Sequence, residues 1–525
     1  MELKKHCFIT TPIFYPSGNP HIGHAFTAIL GDFLKRFKIQ RGYKVFLLTG
    51  TDEHGKKIAE KSKLNNIEPQ VFVDQHSQIF KNLFNDLQIS YDAFVRTTNQ
   101  EHEAAVKEIF KTLVSKNLIY FDAWNGWYCV ECEENYLQTN AQIREDGSFT
   151  CAIGHSLIKI NENSYFVKVN MYENWIKETL LQNKMNIYPT SRINELVNNF
   201  LNVGLKNLSI TRESISWGIQ VPENNKHTIY VWFDALFSYL TGLNFLSEND
   251  QLFQEFWNNK TSEKIHLLSK EITRFHCIYW PIFLKMLDLE LPTSFLSHGW
   301  IVDESGNKMS KSLNNVIDPK NWINKYGNDA IRYYLLKEMS LDQDNRCGEN
   351  LLINVYNADL ANNLGNLVSR TIGMLMKYQT GKIFPHGVFD KEEMLILKKI
   401  QTLPLKWEKY IEENKIKLAF DECLKVVYSI NKLIENKKPW ELFKLNLKEQ
   451  IANILFLAAA AIRVIFVLLE PVLINKANIV FKQMNFDASM TTVASLANID
   501  LINNVEISKD EALKSEPLFV RIVLK

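Results

Sequence analysis

Cys7-Phe8-Ile9-Thr10-Thr11-Pro12-Ile13 is an apolar run that reads as a buried strand stopping at Pro12 and Pro16, and the loop Pro16-Ser17-Gly18-Asn19-Pro20 follows it. Beyond the loop, Ala25, Ile29, Phe33 and Phe37 recur every fourth residue with Leu30 and Leu34 beside them, which is one apolar face of a helix. Val45-Phe46-Leu47-Leu48 reads as a second buried strand, closed by the polar turn Thr49 to Gly55. Strand, glycine-containing loop, helix and strand is the opening of a doubly wound parallel sheet.

Working outward, the character of the chain changes near Tyr120. From there to about Pro222 it is rich in aromatic and polar residues and holds three of the seven cysteines. Apolar strand-like and helical segments resume at Ile229–Leu240 and Ile265–Leu287, so residues 120–222 read as an insertion splitting a sheet domain of residues 1–119 and 223–295. From about Leu351 the apolar spacing is helical and glycines are few, which predicts an α-helical bundle over residues 351–525. A length of 525 residues fits about three or four domains. Hydrophobic residues at 46% and charged residues at 23% suit a globular chain with a full core. The net charge of +1 neither supports nor excludes a nucleic-acid partner, because a basic face can hide inside a balanced total.

The odd, sparse cysteine count points to a reducing compartment. No apolar stretch of a secretory signal precedes Cys7. Ile451 to Leu469 imitates a membrane span, but its runs Ile454–Ile462 and Val464–Leu469 are split by Arg463. A span needs about 20 apolar residues, and a central arginine costs roughly 2.5–3.5 kcal/mol on insertion scales. A buried helix of a soluble bundle is expected, with no membrane partner.

Pro20-His21-Ile22-Gly23-His24 stands where a strand gives way to a helix. A helix start offers unpaired N–H groups and a positive dipole end, which suits phosphate. Two histidines can add hydrogen bonds to phosphate oxygens, and Gly23 lets a flat base approach the backbone. A pair of surface histidines on a capped helix is the competing reading. Lys308-Met309-Ser310-Lys311-Ser312, after Asp303-Glu304-Ser305-Gly306-Asn307, puts two lysines on a glycine-containing loop, suited to a polyphosphate. Alone it is a solvated charged loop. With the histidine motif far upstream in a split α/β sheet, coincidence becomes a poor account.

These two motifs resemble the signatures of class I aminoacyl-tRNA synthetases, His-Ile-Gly-His and Lys-Met-Ser-Lys-Ser, unaltered at residues 21–24 and 308–312. The resemblance narrows to the methionyl-tRNA synthetases through Thr10–Tyr15, Leu48–Gly55, Tyr230–Leu236, Arg274–Pro281, Tyr326–Tyr333, Asn366–Arg370 and Lys438-Pro439-Trp440. It covers nearly the whole chain and thins after about residue 475. It implies a Rossmann-like sheet, a signature-loop and stem-contact region over residues 296–350, and an anticodon-binding domain over residues 351–525. The implied reaction joins methionine to ATP as methionyl-adenylate, then passes it to the 3′-terminal adenosine of tRNA-Met, the initiator included. His21, His24, Lys308 and Lys311 are the implied catalytic residues. Gly23 and Ser310 join them at ATP, which arrives with Mg²⁺.

The resemblance places methionine among Ile13, Tyr15, Asp52, Trp232, Ala235, Tyr239, Ile272, Phe275, His276 and Trp280. The chemistry agrees, since a thioether makes favourable contacts with aromatic rings, and Asp52 at the carboxyl end of a strand suits the α-ammonium group. Aromatics at helical spacing, such as Phe275 with Tyr279, are otherwise ordinary core. Cys129-x2-Cys132 followed by Cys151-x3-His155 has the donor spacing of a closed, structural Zn²⁺ site, with unligated thiols as the competing reading. The histidine departs from an all-cysteine knuckle, which leaves His155 the least secure ligand. Asn366, Arg370 and Trp440 match the family's anticodon readers, by base-edge contacts and stacking. A valine, isoleucine, leucine or cysteine synthetase would share both signatures. The editing enzymes need a larger insertion, and the cysteine enzyme needs metal ligands in its pocket. A small nucleotidyltransferase would lack the helical half, and a catalytically idle zinc- and RNA-binding module stays open. A monomer is expected, because no stretch after Leu518–Ile522 could hold an appended domain, and a cytoplasmic location is expected alongside the reducing compartment read above.

Overall fold

In the first β-strand, Cys7, Ile9 and Thr11 face one side and Phe8 and Thr10 the other, and all five are buried. Such a strand must be covered on both faces. The computed structural model describes residues 5–130, 134–136, 141–144, 146–151, 154–310, 313–510 and 517–523. Its central sheet has six strands: β1 (His6–Phe14), β2 (Lys44–Thr51), β3 (Ala93–Arg96), β4 (Asn186–Tyr188), β5 (Glu263–Ser269) and β6 (Ser294–His298). They lie in the order β3-β2-β1-β5-β6-β4, and every pairing is parallel. Strand β1 does not end at Pro12. It runs on to Phe14 after a register irregularity between Thr10 and Ile13, where the proline cannot donate to the ladder.

Helices cover the two faces. On one, α1 (Ile22–Ile39) approaches so closely that a methyl group on Gly31 would meet Leu47, Thr11 and Leu267 at 3.3–3.4 Å. On the other, the end of α2 (Val231–Thr241) meets the opposite side of β2, where a methyl on Gly242 would clash with Leu48 at 2.2 Å. Between Ile119 and Ser209 the chain forms a four-stranded antiparallel sheet, led by the paired strands Ile119–Cys129 and Ile158–Val167. Strand β4 therefore lies within residues 120–222 and returns the chain to the main sheet between two antiparallel segments.

The described chain divides into two compact units, residues 1–38 with 42–299, and residues 39–41 with 300–525. The second is mainly helical, with α3 (Asn366–Gln379), α4 (Lys391–Glu412), α5 (Ile416–Lys437) and α6 (Lys448–Leu469) packed together. Helix α4 starts at a capping box between Asp390 and Glu393. Helix α6 is long and apolar enough to cross a membrane, yet its apolar window is wholly buried among its neighbours. Arg463, in its middle, donates to the carbonyls of Ser495 at 3.2 Å and Asn498 at 2.7 Å. Both bonds come from Nη2, while Nε and Nη1 are buried without a hydrogen-bond partner among the described residues, so the two carbonyls offset only part of the hydration that a buried guanidinium loses.

Candidate active site

The histidine motif sits on the turn into α1. The backbone N–H of Gly23 donates to His21 Nδ1 at 3.1 Å, and that of His21 donates to His24 Nδ1 at 3.0 Å. Each Nδ1 is therefore an acceptor, and the proton of each neutral ring sits on Nε2. The rings stack with centroids 3.8 Å apart, and Phe14 and Phe80 meet the edge of His24. Burial, and then the His21 imidazole beside it, hold His24 well below the ordinary histidine range, so it is neutral at physiological pH. The pair presents two Nε2–H donors. A methyl on Gly23 would stand 2.9 Å from His21 Cε1, so only glycine leaves that ring in place.

The residues read as a methionine pocket come together in the same unit. Trp232 and Phe275 stack face to face, 4.0 Å apart and 3° from parallel, and His276 meets Trp232 edge-on. Tyr239 and His276 are joined hydroxyl to Nε2 at 2.8 Å, and His276 Nδ1 reaches the Ile272 carbonyl at 3.0 Å. Burial lowers His276 to about 4, so the neutral ring donates from Nδ1 to that carbonyl and accepts from the Tyr239 hydroxyl. Burial, and next the nearby Asp52 carboxylate, raise Tyr239, while the Ile13 backbone opposes them. That keeps the hydroxyl protonated as a donor. The Tyr15 hydroxyl donates to the His54 carbonyl at 2.9 Å. Ala235 is buried on α2 one turn from both Trp232 and Tyr239. Trp280 is fully buried, its indole N–H directed at His266 Nε2 at 3.4 Å, and it backs onto Tyr239. Phe275 to Tyr279 form a π-helical turn, a distortion frequent at functional sites.

Two groups here escape a sequence reading. His266 Nδ1 lies 2.6 Å from the Thr10 hydroxyl, behind Trp280. The buried carboxylate of Asp234 stands between His54 Nδ1 and His102 Nε2, each at 2.6 Å. His54 and Asp234 belong to the stretches quoted above for the resemblance, and nothing local in either stretch joins them.

Lys308 belongs to the second unit, on a tight loop where Gly306 has φ +92°. Asp303 accepts from the Asn307 N–H and the Asn315 amide, each at 2.8 Å, and those bonds, Asn315 first, hold its carboxyl below the usual range. The Ser310 N–H donates to Asn315 Oδ1 at 2.8 Å, and Lys308 Nζ lies 4.4 Å over the Trp300 ring. Lys311 lies outside the described residues. Asn366 opens α3, Arg370 stands 3.8 Å from Glu435, and Trp440 is 38% exposed on the short helix Pro439–Lys444. An indole so exposed is not a core residue.

Among the described residues, Cys129, Cys151 and His155 form a group whose ligand atoms all lie within 4.8 Å of one another. Cys129 Sγ is 3.9 Å from His155 Nδ1, and the His155 N–H points at Cys151 Sγ at 3.3 Å. Zn–S and Zn–N bonds of about 2.3 and 2.0 Å at a tetrahedral centre put sulfur and nitrogen about 3.5 Å apart. Two buried cysteines and a histidine at this spacing fit Zn²⁺. Cys132 lies outside the described residues.

The chain as a whole is similar to known proteins. The family described as tRNA synthetases class I (M) matches residues 7–146 and 145–372. The methionine–tRNA ligase of Mycoplasma genitalium is 48% identical over 520 residues, covering 99% of this chain and 100% of its own. That of Bacillus subtilis is 38% identical over 525 residues, covering 98% of this chain and 78% of its own. The crystal structure of Mycobacterium tuberculosis methionyl-tRNA synthetase bound by methionyl-adenylate matches with a TM-score of 0.92 at 31% identity, over 98% of this chain and 100% of that one. The chain belongs to the class I methionyl-tRNA synthetases and is a methionine–tRNA ligase.

Proposed function

We propose that the ligase reaction runs on the residues described above in the following roles. Asp52 pairs with the methionine α-ammonium group. Ile13, Tyr15, Trp232, Ala235, Tyr239, Ile272, Phe275, His276 and Trp280 form the wall and backing of the thioether pocket. ATP, entering as its Mg²⁺ complex, is bound by His21, Gly23, His24, Lys308, Ser310 and Lys311. The methionine carboxylate attacks the α-phosphorus, a new P–O bond forms, and the bond to the β-phosphate oxygen breaks to release pyrophosphate. The 3′-terminal adenosine hydroxyl of tRNA-Met, the initiator included, then takes the methionyl group and AMP leaves.

The attacking carboxylate is already ionised, so the protein supplies position and charge stabilisation and no general base. One observation carries this reading: both histidine Nδ1 atoms accept backbone N–H groups at a helix start, which puts the proton of each ring on Nε2 and makes that nitrogen the donor. Donors of that kind hold phosphoryl oxygens without a proton transfer. His21 and His24 serve the α-phosphate, and Lys308 and Lys311 the departing pyrophosphate.

The remaining assignments belong to the same reading. The sheet is a Rossmann-like doubly wound domain of residues 1–119 and 223–295, supported by the strand order and the helices on both faces. Residues 120–222 are its insertion, which lends β4 to the sheet and holds structural Zn²⁺ through Cys129, Cys132, Cys151 and His155. Residues 296–350 carry the lysine loop, and the bundle of residues 351–525 reads the anticodon through Asn366, Arg370 and Trp440. The enzyme works in the cytoplasm as a monomer. Exchange of labelled pyrophosphate into ATP, run with each of the twenty amino acids, tests the pocket. Exchange with methionine alone is expected, and exchange with another amino acid would overturn the pocket assignment.

A further inference from the structure

Asp52 sits at the end of β2, in a turn gripped from two sides. On one side, Glu53 accepts from the Thr51 hydroxyl at 2.6 Å, Arg96 Nε at 2.7 Å and the Thr98 hydroxyl at 2.5 Å, and its own N–H donates to the Thr97 hydroxyl at 2.9 Å. On the other side, His54 Nδ1 lies 2.6 Å from Asp234 Oδ2. The second oxygen of Asp234 takes His102 Nε2 at 2.6 Å, and His102 Nδ1 lies 2.7 Å from the Thr241 hydroxyl. Asp234 stands in the first turn of α2, next to Ala235 and two residues after Trp232. His54 also fixes Tyr15, through its carbonyl, and its ring meets Trp217 edge-on.

A carboxylate this deep is costly. Asp234 is fully buried, and an apolar residue would fill the space without the loss of hydration. What a carboxylate adds is direction. Its two oxygens bind two imidazoles along fixed lines, where apolar packing would tolerate sliding. The charges are arranged to keep the bond. Burial opposes a charge on His54, but Asp234 first, then Glu103 at 3.9 Å and Glu53, outweigh it and raise its affinity for a proton. Burial would raise Asp234, but the charge of His54 and the bonds from both histidines hold it below the usual carboxylate range. His102 faces Asp234 and the Thr241 hydroxyl.

We propose that His54, Asp234 and His102 are positioning residues that tie the Asp52 turn to α2 and thereby set the affinity for the α-ammonium group of methionine. The proposal rests on the reading of Asp52 as the ammonium partner. It concerns how that carboxylate is aimed, since none of the three need touch the substrate.

The test is steady-state pyrophosphate exchange by the full-length Asp234→Asn and His102→Gln enzymes, with methionine and ATP varied in turn. Two inhibitors accompany it: methioninol, which keeps the ammonium group and lacks the carboxylate, and 4-(methylthio)butyrate, which lacks the ammonium group. For Asp234→Asn, the KM for methionine and the inhibition constant of methioninol are expected to rise about tenfold or more. The KM for ATP and the constant for 4-(methylthio)butyrate should stay within about twofold. His102→Gln keeps the Asp234–His54 bond and should show the same selectivity at smaller size, including where Asp234→Asn fails to fold. A parallel rise in all four constants would reveal a general structural role and overturn the proposal, as would no rise in any. An Asp52→Asn enzyme separates the two readings. Selective loss there without loss in Asp234→Asn overturns the positioning alone. No loss in Asp52→Asn overturns the ammonium assignment beneath it.

Discussion

At His21 and His24 two half-buried imidazoles are held at Nδ1 by backbone N–H groups, which puts their ring protons on Nε2. At His276 the imidazole lies deep inside, and both of its nitrogens are taken by the protein, one by the Ile272 carbonyl and one by the Tyr239 hydroxyl. One residue type thus serves two purposes within one unit. On the roles proposed above, the histidine turn directs its Nε2 donors at charge that develops during reaction, the kind of contact that raises kcat. On the same proposal, His276 in the aromatic pocket uses both of its nitrogens to hold the pocket's shape, and that shape governs how well the ground state binds.

The largest test of that contrast is at the turn. His24→Ala should lower kcat for pyrophosphate exchange about 10²–10³-fold, the usual loss for one oxyanion-type donor, while the KM for methionine holds. A rise in that KM with kcat intact would erase the distinction. Next comes the response to acid. Folding lowers His276 from an ordinary 6.5 to about 4, so on acidification the unfolded chain gains its proton first. Folded stability should therefore fall as pH drops from 6.5 to about 4 and level off below. One such histidine accounts for about 3 kcal/mol. Urea unfolding across that range should show a loss of stability in the wild type larger by about 3 kcal/mol than in His276→Gln. Gly23→Ala would push the His21 ring off the Gly23 N–H and should cost about tenfold in kcat, since the ring is displaced and not removed. The smallest effect belongs to Tyr239→Phe. It removes one hydrogen bond worth about 1 kcal/mol and should raise the KM for methionine about fivefold at unchanged kcat.

What could be read beforehand follows the same contrast. The elements β1, α1 and β2 were legible because their apolar residues repeat at the period of their own backbone. The histidine turn was legible because four consecutive residues carry it. Strand β4 was hidden: it has three residues, too few for a period, and lies inside a segment whose other strands are antiparallel. Pro12 ended the strand on paper, while tertiary pairing carries β1 past it through an irregular register. The π-helical turn at Phe275 differs from an α-helix by one residue in spacing, below what an apolar pattern resolves. The bond between His54 and Asp234 joins residues 180 positions apart, each lying in a recognisable stretch that gives no sign of the other.

Arg463 sets an order in time. Its partners, the carbonyls of Ser495 and Asn498, leave the ribosome more than thirty residues after the arginine itself. Until they arrive, the guanidinium stands in the middle of a long apolar helix without the two carbonyls that offset part of the cost of its burial. The strands of the sheet, by contrast, are all synthesised by His298. In vectorial synthesis the sheet is therefore expected to close while the bundle is still being made, and the packing around Arg463 to be completed once residues 495–498 have emerged.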